Sequence, residues 1–337
     1  MKQKIFAIND LINFIGQLSF NKTVNYINIQ FSFFISRITG RPQHRGMPVS
    51  LSIEPTTSCN LRCPECPSGL RQFSRPQGRL SLQGFKDIID PLKSTLAYLL
   101  LYFQGESFLN TDVVEMIKYA SRNKIYTATS TNGHFLNDDQ SCSIVESGLD
   151  RLIISLDGLD QDTYEKYRRG GELEKVLSGI RDLVKWKKQL RSSKPYIILQ
   201  FLVFKNNQDQ IPAVKKLARE MGVDKLELKT AQVYNFEDDT DLIPDIPKYS
   251  RYIKGKDGRW QLKKKIRNRC FRMWSGAVIT WDGRVVPCCF DKDAQHQLGT
   301  LDGSNFKDIW NSKKYNAFRQ QILRDRNSID ICRNCTE

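Results

Sequence analysis

Between Val49 and about Thr230 the chain alternates short apolar runs with longer stretches of helical periodicity. The runs Val49–Ile53, Leu96–Phe103, Ile125–Thr129, Arg151–Leu156, Tyr196–Phe204 and Lys225–Leu228 read as buried parallel strands. Helical stretches fall between them, near Ser81–Leu92, Asp112–Asn123, Asp138–Ser147, Leu173–Leu190 and Gln208–Met221. Ser81 and Thr111 suit N-caps, and Gly148 and Gly222 sit where helices stop. The class is α/β. Six βα units are too few for a complete eight-stranded barrel.

The flanks differ from this core. Residues 1–46 hold two apolar-rich stretches, Ile5–Leu18 and Tyr26–Ile38, followed by Arg37, Arg41 and Arg45. The expectation is a helix packed across the mouth of the sheet, because the polar face carries little charge before Arg37. The alternative is a peripheral membrane contact through an interfacial helix. A Pro- and acid-rich bridge, Phe236–Pro247, leads into a basic stretch. Beyond it, Ala277–Thr280 and Arg284–Pro287 flank Trp281-Asp282-Gly283, a hairpin signal, and Asn305–Leu323 reads as helix. The expected organisation is an N-terminal helical extension (1–46), a core (47–235), a basic linker (236–262) and a small α+β domain (263–337).

Composition narrows the picture. The chain has 337 residues and a net charge of +15. Eleven Lys and Arg lie between Lys248 and Arg272, against the lone Asp257. No DNA- or RNA-binding module accompanies them, so they read as a solvated linker or as a site for another anionic partner. No signal peptide or run of eighteen apolar residues is apparent, and most of the nine cysteines are clustered. That pattern predicts metal binding in a reducing, cytoplasmic setting rather than disulfides.

The chemistry concentrates in Cys59-Asn60-Leu61-Arg62-Cys63-Pro64-Glu65-Cys66, directly after the first strand. A [4Fe–4S] cube normally takes four thiolates, so three in one loop leave an open iron site. The competing reading is structural zinc, which would need a fourth ligand from elsewhere; the nearest histidine is His44. The CxxxCxxC spacing resembles that of the radical S-adenosylmethionine (SAM) superfamily. The resemblance implies an open, partial (β/α)6 barrel, SAM chelated at the open iron, and a 5′-deoxyadenosyl radical that abstracts hydrogen. It also implies an electron donor such as a flavodoxin or ferredoxin.

Further strings fit the same family in order. Gln104-Gly105-Glu106-Ser107 resembles the GGEP motif that contacts the methionyl amino group, implying roles for Gly105 and Glu106, although its first Gly and its Pro are replaced. Ser130-Thr131-Asn132-Gly133 resembles a segment facing the cofactor, which implicates Ser130 and Asn132. Ser155-Leu156-Asp157-Gly158 implies ribose contact by Ser155, with Asp157 beside it. Arg168 matches the arginine that pairs with the methionyl carboxylate, with Arg169 as the alternative. Phe73–Gly78 has no assigned role.

In the C-terminal unit, Cys270, Cys288, Cys332 and Cys335 resemble the SPASM/twitch extensions that hold auxiliary clusters. The eighteen-residue first spacing is close to that in the single-cluster extension of 2-deoxy-scyllo-inosamine dehydrogenase, which implies one auxiliary [4Fe–4S] cluster. Adjacent strand residues face opposite ways, so only one of Cys288 and Cys289 is expected to ligate, Cys288 on spacing. Zinc remains the alternative here too. Cys142 reads as an ordinary helix thiol. The functional expectation is dehydrogenation of a small molecule, with a general base that no motif marks. The alternatives are a peptide-modifying maturase and a zinc-stabilised, non-catalytic binding protein.

Overall fold

The computed structural model describes residues 2–237 and 241–336. Helices α1 (Lys2–Ile15) and α2 (Phe20–Thr39) lead into β1 (Ser50–Ile53), the short α3 (Pro67–Leu70) and α4 (Leu82–Ile89). Then come β2 (Tyr98–Leu100), α5 (Val113–Arg122), β3 (Tyr126–Thr131), α6 (Asp138–Glu146) and β4 (Arg151–Ser155). Helices α7 (Gln161–Tyr167) and α8 (Leu173–Gln189) precede β5 (Tyr196–Val203), α9 (Ile211–Glu220) and β6 (Lys225–Thr230). The remainder holds β7 (Tyr252–Lys254), β8 (Trp260–Leu262), α10 (Arg272–Ser275), β9 (Gly276–Ile279), β10 (Arg284–Val286), β11 (Gly299–Thr300), α11 (Phe306–Trp310) and α12 (Lys313–Asp325).

Strands β1 to β6 are parallel and adjacent in chain order, as the apolar runs predict. Strand β2 is shorter than its apolar run at both ends, and the chain turns at Gly105 (φ +75°) five residues beyond it. The expected single helix over Asn305–Leu323 is two: it breaks at Asn311, and Ser312 caps α12 by accepting from Tyr315 N at 3.1 Å. Helix α7 was not predicted; Asp160 caps it, accepting from Thr163 N at 2.8 Å.

The C-terminal unit continues the same sheet. Strand β9 pairs in parallel with β1, setting Ser50 against Gly276 and Ile53 against Ile279, and β10 and β11 follow antiparallel. The nine-stranded order is β11-β10-β9-β1-β2-β3-β4-β5-β6, so among the described residues β6 pairs only with β5 and no strand pairing closes the sheet. The segment expected as a linker carries the β7–β8 antiparallel hairpin.

Helices α1 and α2 lie over the N-terminal ends of the strands, and polar side chains attach them. Asp10 pairs with Arg151 and Tyr126 Oη, Gln17 Nε2 donates to Asp150 at 2.7 Å, and Asn25 Nδ2 donates to Met47 O at 2.8 Å. The loop of three cysteines leaves the opposite, C-terminal end of β1. In parallel α/β folds that is the end where chemistry gathers.

Candidate functional site

The cysteine loop folds back on itself through α3. A Cβ on Gly69 would lie 2.5 Å from Cys63 N, so this contact admits only glycine. The loop is then tied to the end of β2. Gly105 N donates to Ser68 Oγ at 2.8 Å, and Glu106 N donates to Ser58 O at 2.8 Å. A Cβ on Gly105 would lie 2.3 Å from Thr56 O, so its positive φ and its tight packing both require glycine. Cys63 is buried with Leu61, Tyr167, Phe204 and Ala231, and Cys59 and Cys66 pack against the same cluster.

Each thiol faces a different residue that the sequence had set apart. Cys59 Sγ is 3.9 Å from Asn132 Nδ2, Cys63 Sγ is 3.9 Å from Arg168 Nη1, and Cys66 Sγ is 3.9 Å from Gln104 Oε1. Burial pushes the Cys59 thiol up to about 12 and raises that of Cys63, the latter opposed by Arg168. Such thiols stay protonated without a metal, whereas a coordinating metal holds them as thiolates. His44 is committed elsewhere, its Nε2 lying 3.2 Å from Trp274 O. Three thiols gathered on one loop are a donor set of the kind that an iron–sulfur cluster takes.

The residues flagged around SAM divide into two groups. Glu106 is buried, and its carboxylate accepts from Thr131 Oγ1 at 2.8 Å, Asn132 N at 2.7 Å and Phe108 N at 3.3 Å. It binds the end of β3 to the Gln104–Gly105 turn. Burial pushes its carboxyl upward, and these hydrogen bonds oppose the rise. Asp157 is likewise internal: Oδ2 accepts from Arg168 Nε at 2.6 Å and Oδ1 from Leu202 N at 2.7 Å. Burial raises its carboxyl too, against the Arg168 guanidinium. Ser130 lies half-buried on β3, and Ser155 is buried at the end of β4. Arg168 reaches the cysteine loop, whereas Arg169 is exposed and contributes only its carbonyl, which accepts from Arg62 N at 2.9 Å. Of the two arginines, Arg168 is the one whose side chain lies beside the cysteine loop.

A second set of thiols lies in the C-terminal unit. Cys270, Cys288, Cys332 and Cys335 line one small pocket, closed by Met273, Phe318 and Ile322. Cys289 is outside it, 3.6 Å from Arg272 Nη1. Burial raises the thiols of Cys270, Cys288 and Cys332. Arg326 Nη2 lies 2.9 Å from Cys335 Sγ, a cation suited to thiolate charge. Of the neighbours at position 288 and 289, Cys288 joins the other three.

Family models match two parts of the chain: the radical SAM superfamily over residues 53–188, and the SPASM iron–sulfur cluster-binding domain over residues 270–336. The chain belongs to the radical SAM superfamily. It is a radical SAM enzyme with a C-terminal SPASM-type iron–sulfur domain. One relative is a tungsten-containing aldehyde ferredoxin oxidoreductase cofactor-modifying protein of Pyrococcus furiosus, 26% identical over 80% of this chain and 82% of its own. Another is an AdoMet-dependent heme synthase of Methanosarcina barkeri, 30% identical over 52% of this chain and 48% of its own. Among solved structures, SuiB of Streptococcus suis bound to S-adenosylmethionine aligns with 86% of this chain and 72% of its own at 14% identity and a TM-score of 0.63. BtrN in complex with AdoMet and 2-DOIA aligns with 88% and 95% at 18% identity and a TM-score of 0.54. These likenesses establish the radical SAM α/β fold with its mixed sheet and C-terminal SPASM-like region.

The radical SAM enzyme also places residues that no motif marked close to the first cysteine loop. Lys292 is half-buried, its Nζ lies 4.5 Å from the Tyr234 ring, and the charges of Cys66, Cys289 and Glu65 act on it. Burial lowers its pKa. It thus stands between the first cysteine loop and the second unit. Tyr167 and Phe204, with ring centroids 4.3 Å apart, wall the first site. Gln104, read in sequence as a departure from a glycine, faces Cys66.

Proposed function

We propose that this enzyme carries two [4Fe–4S] clusters on a partial (β/α)6 barrel and oxidises a small molecule by hydrogen abstraction. Cys59, Cys63 and Cys66 would hold the first cluster with its open iron, and Cys270, Cys288, Cys332 and Cys335 the auxiliary one. When bound, these groups supply reductive cleavage of SAM, the 5′-deoxyadenosyl radical and an acceptor for the substrate's electron. Gly105, Glu106, Ser130, Asn132, Ser155, Asp157 and Arg168 are the SAM-side residues. Glu106 and Asp157 act there by positioning, since their carboxylates are already engaged within the protein. Arg168 is the group that would reach the methionyl carboxylate. Lys292, Glu65 and Tyr234 are the side chains that substrate would meet.

The observation that carries the oxidative reading is the four-thiol pocket. A fully cysteine-ligated cube has no iron left for substrate, so electron acceptance is the role open to it. The cofactor-modifying relative spans most of both chains, in keeping with a small-molecule substrate rather than a peptide.

The test is anaerobic reconstitution followed by SAM and reductant. Wild-type protein should bind about eight irons, by four per cube, and form 5′-deoxyadenosine. Cys288→Ser should lose about half the iron and retain cofactor cleavage, while Cys289→Ser should lose neither. Absence of 5′-deoxyadenosine from wild-type protein would sink the reading. Asp157→Asn should leave the iron unchanged but weaken SAM binding about tenfold, the value of one misaligned charge-assisted hydrogen bond, measured by equilibrium binding to the reconstituted protein.

A further inference from the structure

The N-terminal helices are amphipathic in the inverted sense. Helix α2 buries Lys22, Asn25, Ser32 and Ser36, with Ile29 the apolar exception, and turns its larger apolar side chains outward. Phe20 is 82% exposed, Ile38 67%, Phe31 60%, Ile27 58% and Phe34 55%. Helix α1 does the same: Asp10 faces Arg151 and Tyr126, while Leu11, Ile12 and Ile15 face out. Among the described residues, twelve of the seventeen exposed large apolar side chains fall between Ile8 and Ile38. The packing over the sheet is made by polar residues together with Phe14, Ile29 and Phe33, and the remaining apolar side chains are left facing outward. Scattered apolar residues need no account; a concentration of this kind marks an interaction surface.

The charge around the face indicates what covers it. At the C-terminal end of α2, Phe33 and Arg37 share a groove of about 490 Å³ with Lys264, Lys265, Arg267 and Arg269 from the basic stretch. Residues 1–46 contain one acid, Asp10, and it is buried against Arg151. An apolar helical face bordered by cations and free of outward acids matches the acyl boundary and headgroups of an anionic bilayer. A second copy of the chain fits less well, because a two-fold contact through this face would set one basic groove near the other. Neither helix is long and apolar enough to cross a membrane.

We infer that α1, α2 and the adjoining basic groove form a monotopic docking surface for an anionic phospholipid membrane. The helices cover the N-terminal ends of the strands and the cysteine loop leaves the C-terminal end of β1, so the reactive site opens away from the bilayer. The enzyme would then sit on a membrane while still open to soluble partners.

Co-sedimentation of the full-length holoprotein with vesicles tests this. One set is phosphatidylcholine alone, and the other is equimolar phosphatidylcholine and phosphatidylglycerol. Binding is expected to the second set and to weaken with added salt. The variant I27S/F31S/F34S should lose about a hundredfold in binding, from the apolar burial it forfeits. The variant K264Q/K265Q/R267Q should lose about a hundredfold on anionic vesicles, at the usual worth of a basic residue near such a surface. All six side chains lie outside the SAM and cluster sites, and circular dichroism and iron content confirm that each variant folds. Failure of wild-type protein to sediment with anionic vesicles would overturn the proposal. So would unchanged binding by both variants. A concentration-dependent dimer that I27S/F31S/F34S dissolves, without vesicle binding, would give the face to a second copy instead.

Discussion

Replacing Cys59, Cys63 and Cys66 together by Ala is expected to abolish 5′-deoxyadenosine formation and to lower bound iron from about eight to about four per chain. The effect is all-or-none because the open iron is the only site in the proposal where SAM is chelated and reduced. The fold should survive. Cys63 belongs to a small apolar cluster with Leu61, Tyr167, Phe204 and Ala231, separate from the main core that runs through β1 to β6 and α12. Size-exclusion chromatography and far-ultraviolet circular dichroism should therefore match wild type while the product disappears. Persistent 5′-deoxyadenosine would remove this loop from the chemistry.

The largest effect on stability is expected at Arg75. Its Nη1 and Nη2 donate to Glu54 Oε2 and Oε1 at 2.8 and 2.6 Å, and both side chains are almost wholly buried. Trp281 N also donates to Glu54 Oε2, at 3.2 Å, and Arg75 lies 4.7 Å from the Phe73 ring. The pair joins the end of β1, the irregular segment after the cysteine loop and the β9–β10 hairpin. Arg75→Ala leaves Glu54 buried without its counter-ion, which costs about 3–5 kcal/mol. Thermal unfolding should move down by roughly 4–7 °C. Glu54→Gln with Arg75→Met should lose much less, because removing both charges leaves no uncompensated ion. Equal losses in the single and double variants would refute this account.

Much of the fold was readable in the chain. Strands β1, β4 and β5 begin within a residue of their apolar runs, because a strand buried on both faces needs a largely apolar stretch, whereas β6 starts where expected but is a half-buried edge strand carrying Lys225, Glu227 and Lys229. The spacing of Cys59, Cys63 and Cys66 was readable for a related reason, since ligands from one loop must be close in sequence to turn around one metal group, whereas Cys270, Cys288, Cys332 and Cys335 come from separate segments and were grouped by family resemblance. Other features left no local signal. Phe73–Gly78 has no periodicity, and its role emerges only when Arg75 meets Glu54 across the fold. Lys292 is one of 52 Lys and Arg residues, and nothing nearby in sequence distinguishes it from a surface cation. Glu106 and Asp157 were legible as positions but not as roles, since a motif does not say which partner occupies a carboxylate.

The order of the parallel strands and the placement of three thiols at the end of the first strand could be read from the chain alone. These follow from short-range constraints: period, burial and ligand spacing. Tertiary structure alone decided that β9 joins β1 and extends one sheet into the C-terminal unit. It placed Cys288 rather than Cys289 in the pocket, and Arg168 rather than Arg169 beside the cysteine loop. It also turned the apolar faces of α1 and α2 outward. Each of these depends on which surfaces meet across large separations in the chain, and a pattern of hydrophobicity records that a face is apolar without recording what covers it.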